Sequence, residues 1–224
     1  GDTMAYTISG GPSTITATTA GAISGTPLNA DVGTHTITVT CTDGSSAAAT
    51  DSYDLTVTNT NDAPTVSTAI ADTSIAEDAT TLSLSASFAD VDVGDTLTYT
   101  MSGCPSTISI HSSTGAITGT PVNADVGAST CTVTATDDGT GTLSATDEFI
   151  LTVTNTNDAP TVASANADAS TAEDAAYSLD ASGTCTDVDV GDSLSYTISG
   201  GPSTITASTA GTISGTPVNA DVGA

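Results

Sequence analysis

The sequence predicts an all-β chain of tandem Greek-key β-sandwich modules, each about 95 residues long. Three observations carry this expectation. The chain repeats: Asn-Ala-Asp-Val-Gly begins at Asn29, Asn123 and Asn219, spaced by 94 and 96 residues. Asn-Thr-Asn-Asp-Ala-Pro begins at Asn59 and Asn155, 96 apart, and Gly-Asp-Thr/Ser recurs at Gly1, Gly94 and Gly191. Apolar residues alternate with polar ones at period two, as in Leu97, Tyr99 and Met101 against Thr98 and Thr100, or Cys131, Val133 and Ala135 against Thr132, Thr134 and Thr136. Such alternation belongs to half-buried strands, which β-branched Thr favours. Finally, Gly, Pro, Asn and Asp clusters punctuate these runs, and no segment carries a helical period.

The Asn-Asp-Ala-Pro step sets the expected boundaries. Residues 1–60 are the later part of one module (strands C to G), 61–156 a complete module, and 157–224 the earlier part of a third (strands A to E). In the complete module strand A is expected around Thr65–Ile75 and B at Thr81–Phe88. Strand C follows at Thr96–Ser102, D at about Thr107–His111, and E at about Gly115–Thr120. Strand F is expected at Thr130–Thr136 and G at Glu148–Thr154. Seven short strands separated by turns make a Greek-key sandwich. Its inward residues are expected to be Leu82, Leu84, Ala86, Phe88, Leu97, Tyr99, Met101, Ile117, Cys131, Val133, Ile150 and Val153. Residues 1–34 and 191–224 match at 27 of 34 positions, so two module types alternate with a higher period of 190. A chain with this layout is a window on a long array, or a subunit that completes its half-modules with neighbours.

Composition narrows the function. The 224 residues include 26 acidic side chains and no Lys or Arg, giving a formal net charge of −26. Without a basic patch, binding to nucleic-acid phosphates or anionic lipid is not expected. No apolar run approaches the roughly 20 residues of a membrane span. Schiff-base lysines and guanidinium clamps are impossible, and only His35 and His111 could act as imidazole acid–base groups. These two are non-equivalent and lack clustered partners, so no enzymatic activity is expected.

The acidic residues cluster at module ends. Asp62, Asp90, Asp92 and the pair Asp137–Asp138 recur as Asp158, Asp187 and Asp189, with Glu77 and Glu173 on the first strands. Asp-x-Asp sets two carboxylates on one side of an extended segment. Hard cations such as Ca²⁺ take six to eight oxygen ligands, often from several loops. The alternative is that these residues form Asx turns and strand-end hydrogen bonds. Val153-Thr154-Asn155-Thr156-Asn157-Asp158-Ala159-Pro160 resembles the Asp-x-Asn-Asp-Asn-x-Pro linker of cadherins. Ala89-Asp90-Val91-Asp92 is similar to their Asp-x-Asp loop, and Ala135-Thr136-Asp137-x-Gly139 to their acidic F–G loop. The whole chain thus resembles cadherin-like, dystroglycan-type or putative Ig repeats of prokaryotic surface proteins. The resemblance implies Ca²⁺ at two junctions. Asn59, Asn61, Asp62, Asp90, Asp92 and Asp137 would surround the first, and Glu77, Asn155, Asn157, Asp158, Asp187 and Asp189 the second. Glu173 would serve a further junction. The linkers depart from the family pattern, beginning with Asn59 or Asn155 rather than Asp and ending in Ala63 or Ala159, and Asp31, Asp125 and Asp221 only lie near a further acidic motif.

An Ig-like topology makes strands C and F neighbours, which pairs Cys104 with Cys131. Cys185 ends strand B and Cys41 lies late in strand F, in different modules. They would pair within one module of a longer array or between subunits. Both pairings imply an oxidising, extracellular setting, whereas four reduced thiols packed as small hydrophobes are the alternative. The main expectation is therefore an extracellular structural array at a cell surface, a stalk, adhesin shaft or filament. Its partners would be adjacent modules and neighbouring copies. The competing expectation is an adhesin module that recognises a glycan or protein through its loops, although these are poor in the aromatic and Arg residues common in binding hot spots.

Overall fold

A computed structural model describes residues 3–79 and 81–223. The first Gly-Asp step, Thr80 and Ala224 lie outside these residues. Nineteen β-strands and three single 3₁₀ turns are assigned among the described residues. No helix among them is long and apolar enough to cross a membrane.

The first repeat contains β1 (Ala5–Ser9), β2 (Thr16–Ala17), β3 (Ile23–Ser24), β4 (Gly33–Thr42) and β5 (Ala48–Val57). They form a β1–β4–β5 sheet and a β2–β3 pair. The β4–β5 hairpin runs in unbroken register from Gly33↔Val57 to Thr42↔Ala48. Asp43 closes it by accepting the N–H groups of Ser45 and Ala47, both at 2.9 Å. The outer face is a hydroxyl ladder. Thr36 donates to Asp54 at 2.7 Å, and Thr38 meets Ser52 at 2.9 Å. This ladder accounts for the Thr-rich alternation through cross-strand pairs.

The second repeat comprises β6 (Thr65–Thr68), β7 (Thr73–Ala76), β8 (Leu82–Ser85), β9 (Ser87–Ala89), β10 (Thr98–Ser102), β11 (Ile108–Ile110), β12 (Ala116–Gly119), β13 (Gly127–Thr136) and β14 (Ser144–Thr154). The sheets are β10–β13–β14–β7, β11–β12–β8 and β6–β9. Strand A is not continuous. Its first half pairs antiparallel with β9, and its second half pairs parallel with β14. Between the halves the Ile70 N–H donates to Asp147 at 2.7 Å, and Asp72 accepts the Ile150 N–H at 2.7 Å. These carboxylates take the place of ladder partners where the chain changes sheets. Strand B also breaks, at buried Ala86, whose N–H turns to the carbonyl of Gly115.

The expected core needs one correction. Ile150 is exposed, while Phe149, Leu151 and Val153 are 1%, 0% and 2% accessible. A strand alternates strictly, so an inward Val153 requires inward 149 and 151. Leu82, Ala86, Ile117, Cys131 and Val133 are buried, whereas Leu84, Phe88, Leu97, Tyr99 and Met101 are half-buried. Phe88 and Tyr99 meet edge to face with centroids 6.0 Å apart. Cys104, just after β10, and Cys131 in β13 form a disulfide, with Cα atoms 4.7 Å apart. Cys41 and Cys185 are free thiols.

The third repeat has β15 (Thr161–Val162), β16 (Tyr177–Asp180), β17 (Cys185–Thr186), β18 (Ile205–Ala207) and β19 (Thr212–Gly215). They form a β16–β19–β18 sheet and a β15–β17 pair. Leu194–Ile198, the counterpart of β10, has no paired strand among the described residues. Each Asn-Ala-Asp copy forms a 3₁₀ turn, at Asn29–Asp31, Asn123–Asp125 and Asn219–Asp221. Its Asp accepts the N–H of Leu28, Val122 or Val218 at 2.9, 3.0 and 2.9 Å. In each copy the carboxylate reaches three residues back, to the residue that precedes the turn.

The chain forms two compact units that do not follow the repeats. One comprises residues 1–72, 83–118 and 130–150, the other 73–82, 119–129 and 151–224. Each unit contains one whole junction between successive repeats.

Candidate metal centres at the repeat junctions

The first junction is assembled by the linker, the Asp90–Asp95 loop and the Asp137–Gly139 loop. The Asp90 carboxylate accepts the Asp92 N–H at 2.9 Å, so the loop turns on its own first acid. Asp92, 4% accessible, then accepts the Asp62 N–H at 2.6 Å. Asp137, 3% accessible, accepts from Gly139, Leu143 and the Asn61 amide at 3.2, 3.0 and 3.1 Å. From the preceding repeat, Asn29 donates to Asp62 at 2.9 Å.

Those bonds leave buried oxygens without partners. Asn61 Oδ1, Asp90 Oδ2, Asp92 Oδ1 and Asp95 Oδ2 are all enclosed and unpaired. Carboxylate oxygens of Asp90, Asp95 and Asp137 lie within 4.8 Å of one another. A cavity of about 510 Å³ lies between Asn59, Thr60, Asn61, Asp95, Gly139 and Thr140. Gly139 keeps it open: a Cβ there would collide with Asn61 Oδ1 and stand 2.8 Å from Asp95 Oδ2. Loss of solvent, followed by the charges of Asp92, Asp138, Asp90 and Asp137, holds the Asp95 carboxyl above the ordinary carboxylate range. Asp138 is held below that range, chiefly by the Thr96 hydroxyl and then by the Thr96 N–H.

The second junction repeats the plan. Asp187 accepts the Asp189 N–H at 3.0 Å, and Asp189 accepts the Asp158 N–H at 2.8 Å and the Asn123 amide at 3.0 Å. Glu77, 1% accessible, accepts the Thr156 N–H at 2.9 Å through Oε1, leaving Oε2 buried and unpaired. Two carboxylate groups result, Glu77–Asp78–Asp158 and Asp187–Asp189–Asp192, each within 4.8 Å.

Most of the expected residues therefore converge, but not all. Asn155 is exposed and outside both groups, and Asn157 turns its amide to the Asp158 carbonyl at 2.9 Å. Asp78, Asp95 and Asp192 join the clusters without having been expected. The last two follow the repeated glycines Gly94 and Gly191, so the Gly-Asp repeat itself was their signal. Asn29 and Asn123 likewise sit in the Asn-Ala-Asp-Val-Gly repeat. The donor set is entirely oxygen, several of its atoms lack any partner, and no Lys or Arg exists to neutralise it. That set fits a hard divalent cation, Ca²⁺ above all, because Ca²⁺ tolerates irregular coordination by six to eight oxygens.

Sandwich repeats joined end to end through acidic loops define a tandem Ig-like, cadherin-like repeat protein. The chain belongs to the family described as "Putative Ig domain", which matches residues 1–58, 63–154 and 159–224. Among solved structures, a human CDH23 EC21–23 fragment is similar with a TM-score of 0.63 and 20% identity, over 94% of this chain and 81% of that one. A mouse cadherin-23 EC22–24 fragment gives 0.51 and 22%, over 69% of this chain and 53% of that one. The protocadherin γB4 extracellular domain gives 0.53 and 20%, over 99% of this chain and 41% of that one. The chain thus spans about half of the mouse fragment and less of the protocadherin, and at these identities the likeness is one of fold. No curated protein gives a significant sequence match.

Proposed function

We propose that the chain is an extracellular structural repeat array, a stalk, adhesin shaft or filament, with modules bounded at 60/61 and 156/157 and Ca²⁺ at both junctions. One observation carries it: buried, unpaired oxygens lie at both junctions. Such atoms are costly to bury unless something pairs them. Asn61, Asp90, Asp92, Asp95 and Asp137 would hold the ion at the first junction, with Asn59 and Asp62 beside them. At the second, Glu77, Asp78 and Asp158 would form one site and Asp187, Asp189 and Asp192 another, with Asn155 and Asn157 in the linker. A bound ion would neutralise the loops and tie successive modules together, stiffening the array as nearest-neighbour interfaces do in other repeat proteins. The Cys104–Cys131 disulfide favours an extracellular setting. The test is thermal unfolding and small-angle scattering in Ca²⁺, in Mg²⁺ and in chelator at matched ionic strength. A Ca²⁺-specific rise in melting temperature with a longer maximum dimension is expected; equal behaviour in Mg²⁺ and Ca²⁺ overturns the proposal.

A further inference from the structure

The Asn-Ala-Asp-Val-Gly motif recurs in every repeat, and its two polar side chains serve different parts of the molecule. The Asp works inside its own repeat. Asp31 accepts the Leu28 N–H at 2.9 Å and the Thr14 hydroxyl at 2.8 Å. Asp221 likewise accepts the Val218 N–H at 2.9 Å and the Thr204 hydroxyl at 3.0 Å. In the first repeat the His35 ring adds a 2.7 Å contact to the Asp31 carbonyl. The turn is thereby fixed to the body of its own repeat.

The Asn reaches into the next repeat. Asn29 donates to Asp62 Oδ2 at 2.9 Å, and Asn123 donates to Asp189 Oδ1 at 3.0 Å. Each of these acids belongs to a linked pair. The Asp62 N–H donates to Asp92 at 2.6 Å, and the Asp158 N–H to Asp189 at 2.8 Å. At both junctions, then, an amide from one repeat grips a linker–loop pair of acids in the following one.

The chemistry of the sequence explains the choice of Asn. A carboxylate only accepts, so a donor has to face it. The chain has no Lys, Arg, Trp or Gln, which leaves Asn and two His residues as its only side-chain N–H donors. Asp189 already stands within 4.8 Å of Asp187 and Asp192, so a carboxylate at position 123 would add to that repulsion. The amide gives Asp189 a partner without adding charge. Burial raises its worth: Asp189 is 5% accessible, and a hydrogen bond to a charged acceptor is strongest away from water. Asp62 is exposed, so Asn29 makes the weaker version of the same tie.

We propose that Asn29 and Asn123 are latches between successive repeats that work without a metal ion. The 3₁₀ turn of one repeat anchors each Asn, and its amide fixes the acids of the next. A second effect rests on the ion sites proposed above. Asn123 holds Asp189 through Oδ1 while the Asp158 N–H holds it through Oδ2, which keeps the carboxylate in place before an ion arrives. Asn123 is thus a positioning residue for that ion, and the junction is seated first by an amide and then by a cation.

Amide hydrogen exchange of the full chain in chelator isolates the latch. Asn123→Ala should speed exchange of the Asp158 and Asp189 N–H groups by about tenfold. Asn123→Asp keeps the shape but replaces the donor with a charge, and should speed it further. Exchange at Val133 and Leu151, in the core of the second repeat, should stay unchanged, which separates a lost latch from a failure to fold. Unchanged exchange at Asp158 and Asp189 in both variants overturns the latch, even if Asn123→Ala weakens Ca²⁺ binding, because Asn123 would then be an ordinary ligand. Equal acceleration throughout the second repeat overturns it too. A Ca²⁺ titration of the same proteins tests the positioning role. Several-fold weaker binding by Asn123→Ala is expected, and equal affinity overturns that role. A wild-type chain indifferent to Ca²⁺ removes the ion sites while the chelator result still decides the latch.

Discussion

Glu77 separates a structural carboxylate from an ion ligand. Glu77→Gln keeps the acceptor for the Thr156 N–H and nearly the same shape, but removes the charge. In chelator the change relieves repulsion from Asp78 and Asp158. Two unit charges 4.8 Å apart repel by about 0.9 kcal/mol at a dielectric of 80 and about 3.5 kcal/mol at 20. The metal-free melting temperature should therefore hold or rise. With Ca²⁺ the sign reverses. A dissociation constant of about 10⁻⁴–10⁻³ M, as in extracellular modules, gives about 1.4–2.7 kcal/mol at ~10 mM Ca²⁺. A module of about 95 residues unfolds with an entropy of about 200 cal/mol/K, so this is a rise of about 7–14 °C. A tenfold weaker site in Glu77→Gln leaves about 0.4–1.4 kcal/mol, or about 2–7 °C. Differential scanning calorimetry of both proteins, with and without Ca²⁺, closes the cycle. If Glu77→Gln lowers the melting temperature equally in both conditions, Glu77 is only a hydrogen-bond acceptor and the ion site is refuted.

Three further outcomes are expected. The Cys104–Cys131 bond spans 27 residues, and loop closure of that length stabilises by about 3.5 kcal/mol, so C104A/C131A should speed amide exchange in β10 and β13 by a few hundredfold. Ile150→Thr should change stability by less than about 0.5 kcal/mol, whereas Leu151→Ala should cost about 2–5 kcal/mol in denaturant unfolding. Hydrogen bonds hold the carboxyls of Asp31, Asp138 and Asp180 below their ordinary range, so their stabilisation is full above the unfolded value near pH ~3.9 and is lost as pH falls through the lower folded values. Thr96→Val, which deletes the donor to Asp138, should move acid unfolding seen by circular dichroism to higher pH.

The repeat and most of the strands were legible because each rests on local chemistry. Period-two alternation gave β10 to β14, and the Asp-x-Asp spacing gave Asp90, Asp92, Asp187 and Asp189. The breaks in strands A and B were not legible. They depend on Asp72, Asp147 and Gly115 meeting backbone groups distant in sequence, which no local pattern encodes. Ile150 was misplaced because Phe149-Ile150-Leu151 is apolar throughout, and only its fixed parity with Val153 chooses the face. Asp95 and Asp192 escaped notice because Gly-Asp entered only as a marker of the repeat period.

The missing Lys and Arg explain how the acids divide their roles. With no cationic side chain in the sequence, carboxylates take their hydrogen bonds mainly from backbone N–H groups and hydroxyls. Asp43 closes a hairpin, Asp31 and Asp221 cap 3₁₀ turns, Asp72 and Asp147 serve a strand crossing, and Asp138 ties Thr96. These acids are structural, and their partners are local donors. Every buried side-chain oxygen lacking a partner among the described residues belongs instead to Asn61, Glu77, Asp90, Asp92 or Asp95. All five belong to the junction loops or the strand end beside them. A uniformly acidic surface could be neutralised by any solvent cation, whereas enclosed oxygens are costly to leave without a partner. The negative charge is thus concentrated, at both junctions, in carboxylates that lie within 4.8 Å of one another.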